Sequence, residues 1–243
     1  MLLENMLTIN QLTISRSTGK SFFSVCLPKL TVKTGEVVVI QGDSGAGKST
    51  LLEMIGLILK PDKIGSYNIT VEHCDIDIAM LIQQNKIDQL ANIRAQYLGF
   101  MLQTGGLLPF LTVRDNILLS LKLLQKKVDN NRFDYLVQKL NIAHLINKYP
   151  KQLSIGERQR ASFIRSIIHK PALLLADEPT SALDPYNANL LFDLIIEQAK
   201  QDNIAAMIVT HDWQRIANKG LFTLSAKLTS PQSSEFLPQQ DKV

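Results

Sequence analysis

The chain lacks the features that would place it in several large classes. It has two cysteines in 243 residues, Cys26 and Cys74. They lie far apart in the chain and form no metal-ligand spacing, so they fit structural roles in a reducing compartment. No stretch is long and apolar enough to be a bilayer-spanning helix, and the chain is not expected to cross a membrane itself. Met1-Leu2-Leu3-Glu4-Asn5 has no basic region and no long apolar core, so it does not read as a signal peptide. There is no internal repeat. Lys and Arg are scattered, and the one short cluster is Lys126-Lys127. The net charge of +4 therefore reads as a solvated surface, and no nucleic-acid partner is expected.

What is present is a soluble globular composition, 45% hydrophobic and 20% charged, on a length that suits one large domain or two lobes. Its centre is Gly42-Asp43-Ser44-Gly45-Ala46-Gly47-Lys48-Ser49-Thr50. The β-branched run Val37-Val38-Val39-Ile40 precedes it as a buried strand should, and Leu51-Leu52-Glu53-Met54-Ile55 follows as a helix. Strand, glycine loop and helix are the context a phosphate-binding loop needs. The glycines let backbone N–H groups turn inward around a polyphosphate, and the helix start adds partial positive charge. Lys48 would reach the β- and γ-phosphates, and the Ser49 hydroxyl would ligate Mg²⁺. Taken without the rest of the chain, the stretch is also a plain glycine-rich turn.

Along the chain, Leu7, Ile9, Leu12 and Ile14 alternate with polar residues as in an edge or half-buried strand. Phe23, Val25 and Leu27 suggest a second strand that is an edge or ends at Pro28. Ile69 and Val71 fall in another strand, and Ile87 to Ala95 in a surface helix. Tyr97 to Leu102 is a short apolar strand ending at Gln103. From Thr104 to Pro150 the pattern is helical. Thr112 caps one helix bearing Val113, Ile117, Leu121 and Leu124, and Phe133, Leu136, Val137 and Leu140 mark a second. Ser154-Ile155-Gly156-Glu157 is a capping box before Ala161, Phe163, Ile164 and Ile167. Ala172 to Ala176 is a continuous apolar strand ending in Asp177-Glu178. Asp184-Pro185 starts another helix. Ile204 to Val209 is a buried strand ending at Thr210-His211. Residues 225 to 243 turn polar and are expected to be disordered.

Three apolar strands thus end in polar residues: the glycine loop, Asp177-Glu178 and His211. In a parallel sheet the ligand crevice lies at the carboxyl ends of the strands. Asp177 suits a contact to Mg²⁺, and Glu178 is placed to orient or deprotonate an attacking water. On its own, His211 reads more readily as a satisfied strand-end histidine.

Together, in this order, these segments resemble the ATP-binding subunit of an ATP-binding-cassette (ABC) transporter over residues 7 to about 225. Gly42 to Ser49 matches the Walker A loop. Gln103 matches the Q-loop glutamine, which the resemblance places on Mg²⁺ and the attacking water. Leu153-Ser154-Ile155-Gly156-Glu157-Arg158-Gln159-Arg160 is similar to the family signature. Leu173 to Asp177 with Glu178 matches Walker B and its catalytic glutamate, Ser181-Ala182-Leu183-Asp184 the D-loop, and His211 the switch histidine. Gly99 to Gln103 and Leu107 to Asn116 resemble the lipoprotein-releasing, macrolide-export and cell-division cassette group.

The resemblance implies an α/β fold: a phosphate-loop NTPase core with N-terminal antiparallel β strands and an inserted α-helical subdomain. It divides the chain into a cassette at 1–225, with a core lobe at 1–103 and 161–225 and a helical insert at 104–160, and a polar tail at 226–243. It implies ATP and Mg²⁺ as cofactors, catalytic roles for Glu178, His211 and Gln103, and metal contacts from Ser49, Gln103 and Asp177. Two cassettes close head to tail, with Ser154 and Gly156 completing the site of the second subunit, and drive a transmembrane permease. The location implied is the cytoplasmic face of the plasma membrane.

Two departures stand out. Ile155 replaces the first signature glycine, and a β-branched residue resists positive φ. Arg16 occupies about the place of the aromatic that stacks on adenine; it could stack through its guanidinium, with Phe22 or Phe23 as substitutes. The competing readings are a soluble cassette acting on nucleic acid and a regulatory cassette that hydrolyses ATP poorly.

Overall fold

The computed structural model describes residues 4–18, 21–212 and 219–239. Residues 1–3, in the stretch read above for a signal peptide, and 240–243 of the polar tail lie outside the described residues. The chain runs β1 (Asn5–Thr18), β2 (Ser21–Lys33), β3 (Val37–Gln41), α1 (Lys48–Ile55), β4 (Lys63–Val71) and β5 (Cys74–Asp77). It continues through α2 (Ile78–Gln83), α3 (Ile87–Tyr97), β6 (Leu98–Met101), α4 (Val113–Leu123), α5 (Asn130–Lys139) and α6 (Ile155–Ile167). The last elements are β7 (Leu173–Asp177), α7 (Pro185–Gln201), β8 (Ala205–Val209), β9 (Phe222–Ser230) and β10 (Ser233–Pro238).

The strands form one mixed sheet, ordered β5-β4-β1-β2-β10-β9-β3-β8-β7-β6. From β9 through β3, β8 and β7 to β6 the pairing is parallel. From β5 through β4 and β1 to β2 it is antiparallel. The hairpin β9–β10 joins the halves, because β10 runs parallel to β2.

The apolar runs are continuous because the central strands are covered on both faces. Val38, Ile40, Leu173, Leu175, Met207 and Val209 join one core with α1, α2 and the N-terminal strands. Val37, Val39, Leu174, Ala176, Ala206 and Ile208 join the other, with α4 to α7. Arg132 of α5 reaches across to Asp202 at the end of α7, at 2.5 Å, and donates to the Ile167 carbonyl. Thr112 and Asp184 cap their helices as their sequence context requires.

Three expectations change. First, of the two readings for β1 only the edge falls: the strand lies between β2 and β4, with alternate residues buried as in a half-buried strand. Its apolar alternation changes phase at Gln11, whose φ is 55. Leu7, Ile9, Leu12 and Ile14 are therefore all buried. Second, β2 does not end at Pro28 but runs to Lys33. Its paired contacts to β10 stop at Cys26, so the proline sits where one side of β2 has no β10 partner. Third, the polar tail is ordered as far as the described residues reach. β9 and β10 are paired strands, Phe236 is fully buried and Ser234 is 1% exposed. Only every second residue needs to be apolar in a strand covered on one face, and a polar composition hides that pattern.

Candidate functional site

β3 delivers the chain into the glycine loop, and α1 leaves it. Gly45 and Gly47 have φ of 81 and 86, which side-chain-bearing residues rarely adopt. Gly47 also has no room for a side chain, since an added Cβ would lie 2.4 Å from Val25 Cγ2. α1 starts with no side-chain cap and no acid in its first turn. Its N–H groups and the positive end of its dipole are therefore available to an anion. Lys48 is buried, and its ammonium donates to the carbonyls of Gly42 and Asp43, at 2.8 Å each. Burial lowers its pKa, and the nearby carboxylates of Glu178, Asp177 and Asp43 oppose that shift. Ser49 is exposed at the loop mouth, and Thr50 is partly buried behind it.

Asp177 ends β7, and Glu178 follows with φ 48. The Glu178 N–H donates to the Val209 carbonyl at 2.9 Å, which ties the ends of β7 and β8 together. His211 follows β8, and its Nε2 lies 3.0 Å from Glu178 Oε1. The Glu178 side chain is 21% exposed and that of His211 44%, so the pair is open to a substrate water. Lysine ammonium, two carboxylates and an imidazole thus gather at the carboxyl ends of three neighbouring strands. That set can hold a polyphosphate and accept a proton beside it.

The ABC transporter family model matches residues 28–181, more than half of the chain. The lipoprotein-releasing system ATP-binding protein LolD of Legionella pneumophila is 39% identical over 196 residues, covering 78% of this chain and 80% of LolD. The bacitracin export ATP-binding protein BceA of Halalkalibacterium halodurans is 36% identical over 185 residues, covering 75% and 70%. The dimeric bacterial ABC transporter cassette MJ0796 superposes with a TM-score of 0.79 at 27% identity, covering 98% of this chain and 100% of that one. Its post-hydrolysis dimer bound to ADP and Pi gives 0.75 at 27% identity, covering 90% and 94%. The chain belongs to the ABC transporter ATP-binding family. It is an ABC ATPase.

In this ABC ATPase the start of α6 is built differently from that of α1. The Ser154 hydroxyl accepts from the Glu157 N–H at 3.2 Å, and the Glu157 carboxylate accepts from the Ser154 N–H at 2.7 Å. That second bond holds the Glu157 carboxyl below its usual range. Gly156 packs against the loop after β7: an added Cβ would lie 2.8 Å from Leu183 Cδ2 and 3.1 Å from the Ala182 carbonyl. Ser154 and Gly156 thus make these contacts within the α6 start and with the 182–183 loop. Ile155 is the first residue of α6 and is 55% exposed. The expected conflict with positive φ does not arise, because the position is helical.

Gln103 is exposed in the turn after β6, and its carbonyl accepts from Gln159 Nε2 at 3.2 Å. Gln159 is fully buried. The same Nε2 also donates to Ser181 Oγ at 3.2 Å, and its Oε1 accepts from the Ala182 N–H at 3.3 Å. Ser181 Oγ in turn donates to the Glu178 carbonyl at 3.1 Å. One amide side chain therefore links the loop of Gln103, the loop after Glu178 and α6. The sequence held one clue to it: Gln159 precedes Phe163 by four, on the buried stripe of the helix. Arg165 adds a second tie, donating to the carbonyls of Gly105 and Gly106.

Arg16 is exposed on β1, directly opposite Phe23. An added Cβ on Gly47 would lie 3.5 Å from the Phe23 ring, so this strand pair flanks the glycine loop. Phe22 is 46% exposed on the same strand.

Proposed function

We propose that this ABC ATPase is the motor of an exporter or lipoprotein-releasing complex at the cytoplasmic face of the plasma membrane. The family assignment supports ATP as the nucleotide. The observation that carries the catalytic reading is the Glu178–His211 contact at 3.0 Å, beside buried Lys48. In this reading Gly42 to Thr50 wrap the phosphates and Lys48 contacts them. Glu178 takes the proton of the attacking water, and His211 holds Glu178 in place. Ser49, Asp177 and Gln103 would hold Mg²⁺, which supplies charge neutralisation on the phosphates when bound. A hydroxyl, a carboxylate and an amide oxygen are hard donors that suit this ion, with waters and phosphate oxygens filling its other positions.

Arg16 would stack on the base. Ser154 and Gly156 would meet the nucleotide of a second cassette when two chains close head to tail, as the dimeric cassettes named above encourage. The helical insert, 104–160, would face a separate permease. A groove lined by Arg94, Leu98, Phe100, Leu119, Leu123 and Arg165 runs beside it, with Leu123 72% exposed. Export or lipoprotein release is favoured by the likeness to BceA and LolD. Among the described residues no helix is long and apolar enough to cross a membrane, which fits a separate permease.

The test is purification from gently solubilised membranes. A polytopic membrane protein in stoichiometric amount is the expected result. A chain that stays soluble, with no membrane partner, would remove the transport reading.

A further inference from the structure

The last described strands touch the glycine loop at two points, and β2 touches it at a third. Ser234 Oγ on β10 donates to the Ala46 carbonyl at 2.7 Å, in a buried contact. Ala226 on β9 lies against Gly42, where an added Cβ would come within 2.6 Å of Ala226 Cβ. Val25 on β2 closes off Gly47 in the same way. These residues belong to three adjacent strands, with Ser234 opposite Val25 in the register. Phe236, fully buried in the core, anchors the hairpin.

The peptide plane makes the Ser234 contact consequential. In a trans peptide the carbonyl of one residue and the N–H of the next point in opposite directions. Holding the Ala46 carbonyl toward the hairpin therefore aims the Gly47 N–H away from it, to the open side of the loop. This peptide turns about ψ of Ala46 and φ of Gly47, and Gly47 has a positive φ of 86. The freedom of a glycine there would let the peptide flip if nothing held it. Ser234 is 1% exposed, so its hydroxyl has no water to compete for it.

We propose that Ser234 is a positioning residue for nucleotide binding: its hydroxyl locks the Ala46–Gly47 peptide in the phosphate-binding orientation, with Ala226 as the floor under Gly42. This rests on the reading of residues 42–50 as the phosphate loop. Without the lock, only a fraction of the loop population is competent, and apparent affinity falls by that fraction.

The experiment measures the dissociation constant for Mg-ATP and the melting temperature without nucleotide, on the full chain, for Ser234→Ala, Ser234→Thr, Ala226→Val and Lys48→Ala. Ser234→Ala is expected to weaken binding about three- to tenfold. Its turnover at saturating ATP stays within about twofold of the parent, and its ligand-free melting temperature barely moves. Ser234→Thr, which keeps the hydroxyl, restores most of the affinity. Should Ser234→Ala fail to fold, Ala226→Val, which presses on Gly42 from the same hairpin, is read in the same way. Unchanged affinity in the readable variant, with Lys48→Ala binding poorly, overturns the lock and leaves the loop assignment standing. Affinity and melting temperature falling together, with no rescue by threonine, reduces Ser234 to a folding role and also overturns it. Full affinity in Lys48→Ala would overturn the loop assignment and the lock together.

Discussion

The proposed function puts two helix starts near the phosphates, and they are prepared in opposite ways. α1 begins at Gly47 with no side-chain cap and no acid in its first turn, and the sheet beneath it holds its loop in shape. α6 begins at Ser154 with both halves of a capping box made, and Glu157 sits at its own positive end. The first leaves its donors to a ligand. The second has already satisfied two of them and neutralised part of its dipole. A helix N-terminus is therefore not by itself an anion site; what matters is which of its donors are already taken. In the proposed reading α1 forms a cradle within one chain, whereas α6 is a weaker half-site that acts when a second cassette brings the phosphate to it.

The largest test of this contrast lies at α1. Glu178→Gln should cut phosphate release about 10²–10⁴-fold at saturating ATP while ATP still binds. Unchanged turnover would show that the carboxylate beside the α1 cradle is not the base.

The far end of α6 offers the next effect. His169 is 6% exposed, and neither ring nitrogen has a hydrogen-bond partner. Burial, opposed by the nearby Leu98 backbone and reinforced by the cations of Lys126 and Arg132, brings its pKa down to about 4 from 6.5. The unfolded chain then takes up a proton below pH 6.5 that the folded chain refuses until about pH 4. Stability should fall as pH drops through that window, by up to about 3 kcal/mol. Denaturant melts of His169→Asn should lose most of that slope.

Ser154→Ala should cost about 1 kcal/mol of stability through the lost cap. Mg-ATP affinity of the isolated chain should stay within about twofold. A tenfold loss of affinity there would make α6 a cradle in cis and erase the contrast. The smallest effect is expected from Ile155→Gly. The position is already helical, so glycine relieves no strain; it should cost less than about 1 kcal/mol in denaturant melts and leave turnover unchanged.

Much of this was legible from local patterns. The glycine loop, the capping box at Ser154, the N-cap at Asp184-Pro185 and the two-faced burial of 173–177 follow from residue type and spacing over fewer than ten positions. The misses share a cause. Pro28 stays in a strand because the pairing of β2 with β10, a strand far later in the chain, stops at Cys26. The tail is ordered because Phe236 and Ser234 find a core and a loop made by other segments. Gln159 is buried because two loops converge on its amide, which a polar letter in a helix barely announces.

The amino-acid order alone therefore determined the chemistry: which residues can hold phosphate, which can take a proton, and in what sequence they come. Those properties belong to side chains and to short-range backbone conformation. Tertiary structure alone decided which helix start keeps its donors free, which strand supports the phosphate loop, and that Ile155 carries no strain. Those properties depend on contacts between segments distant in the chain, and on hydrogen-bond partners that exist only once the sheet has closed around its own C-terminal hairpin.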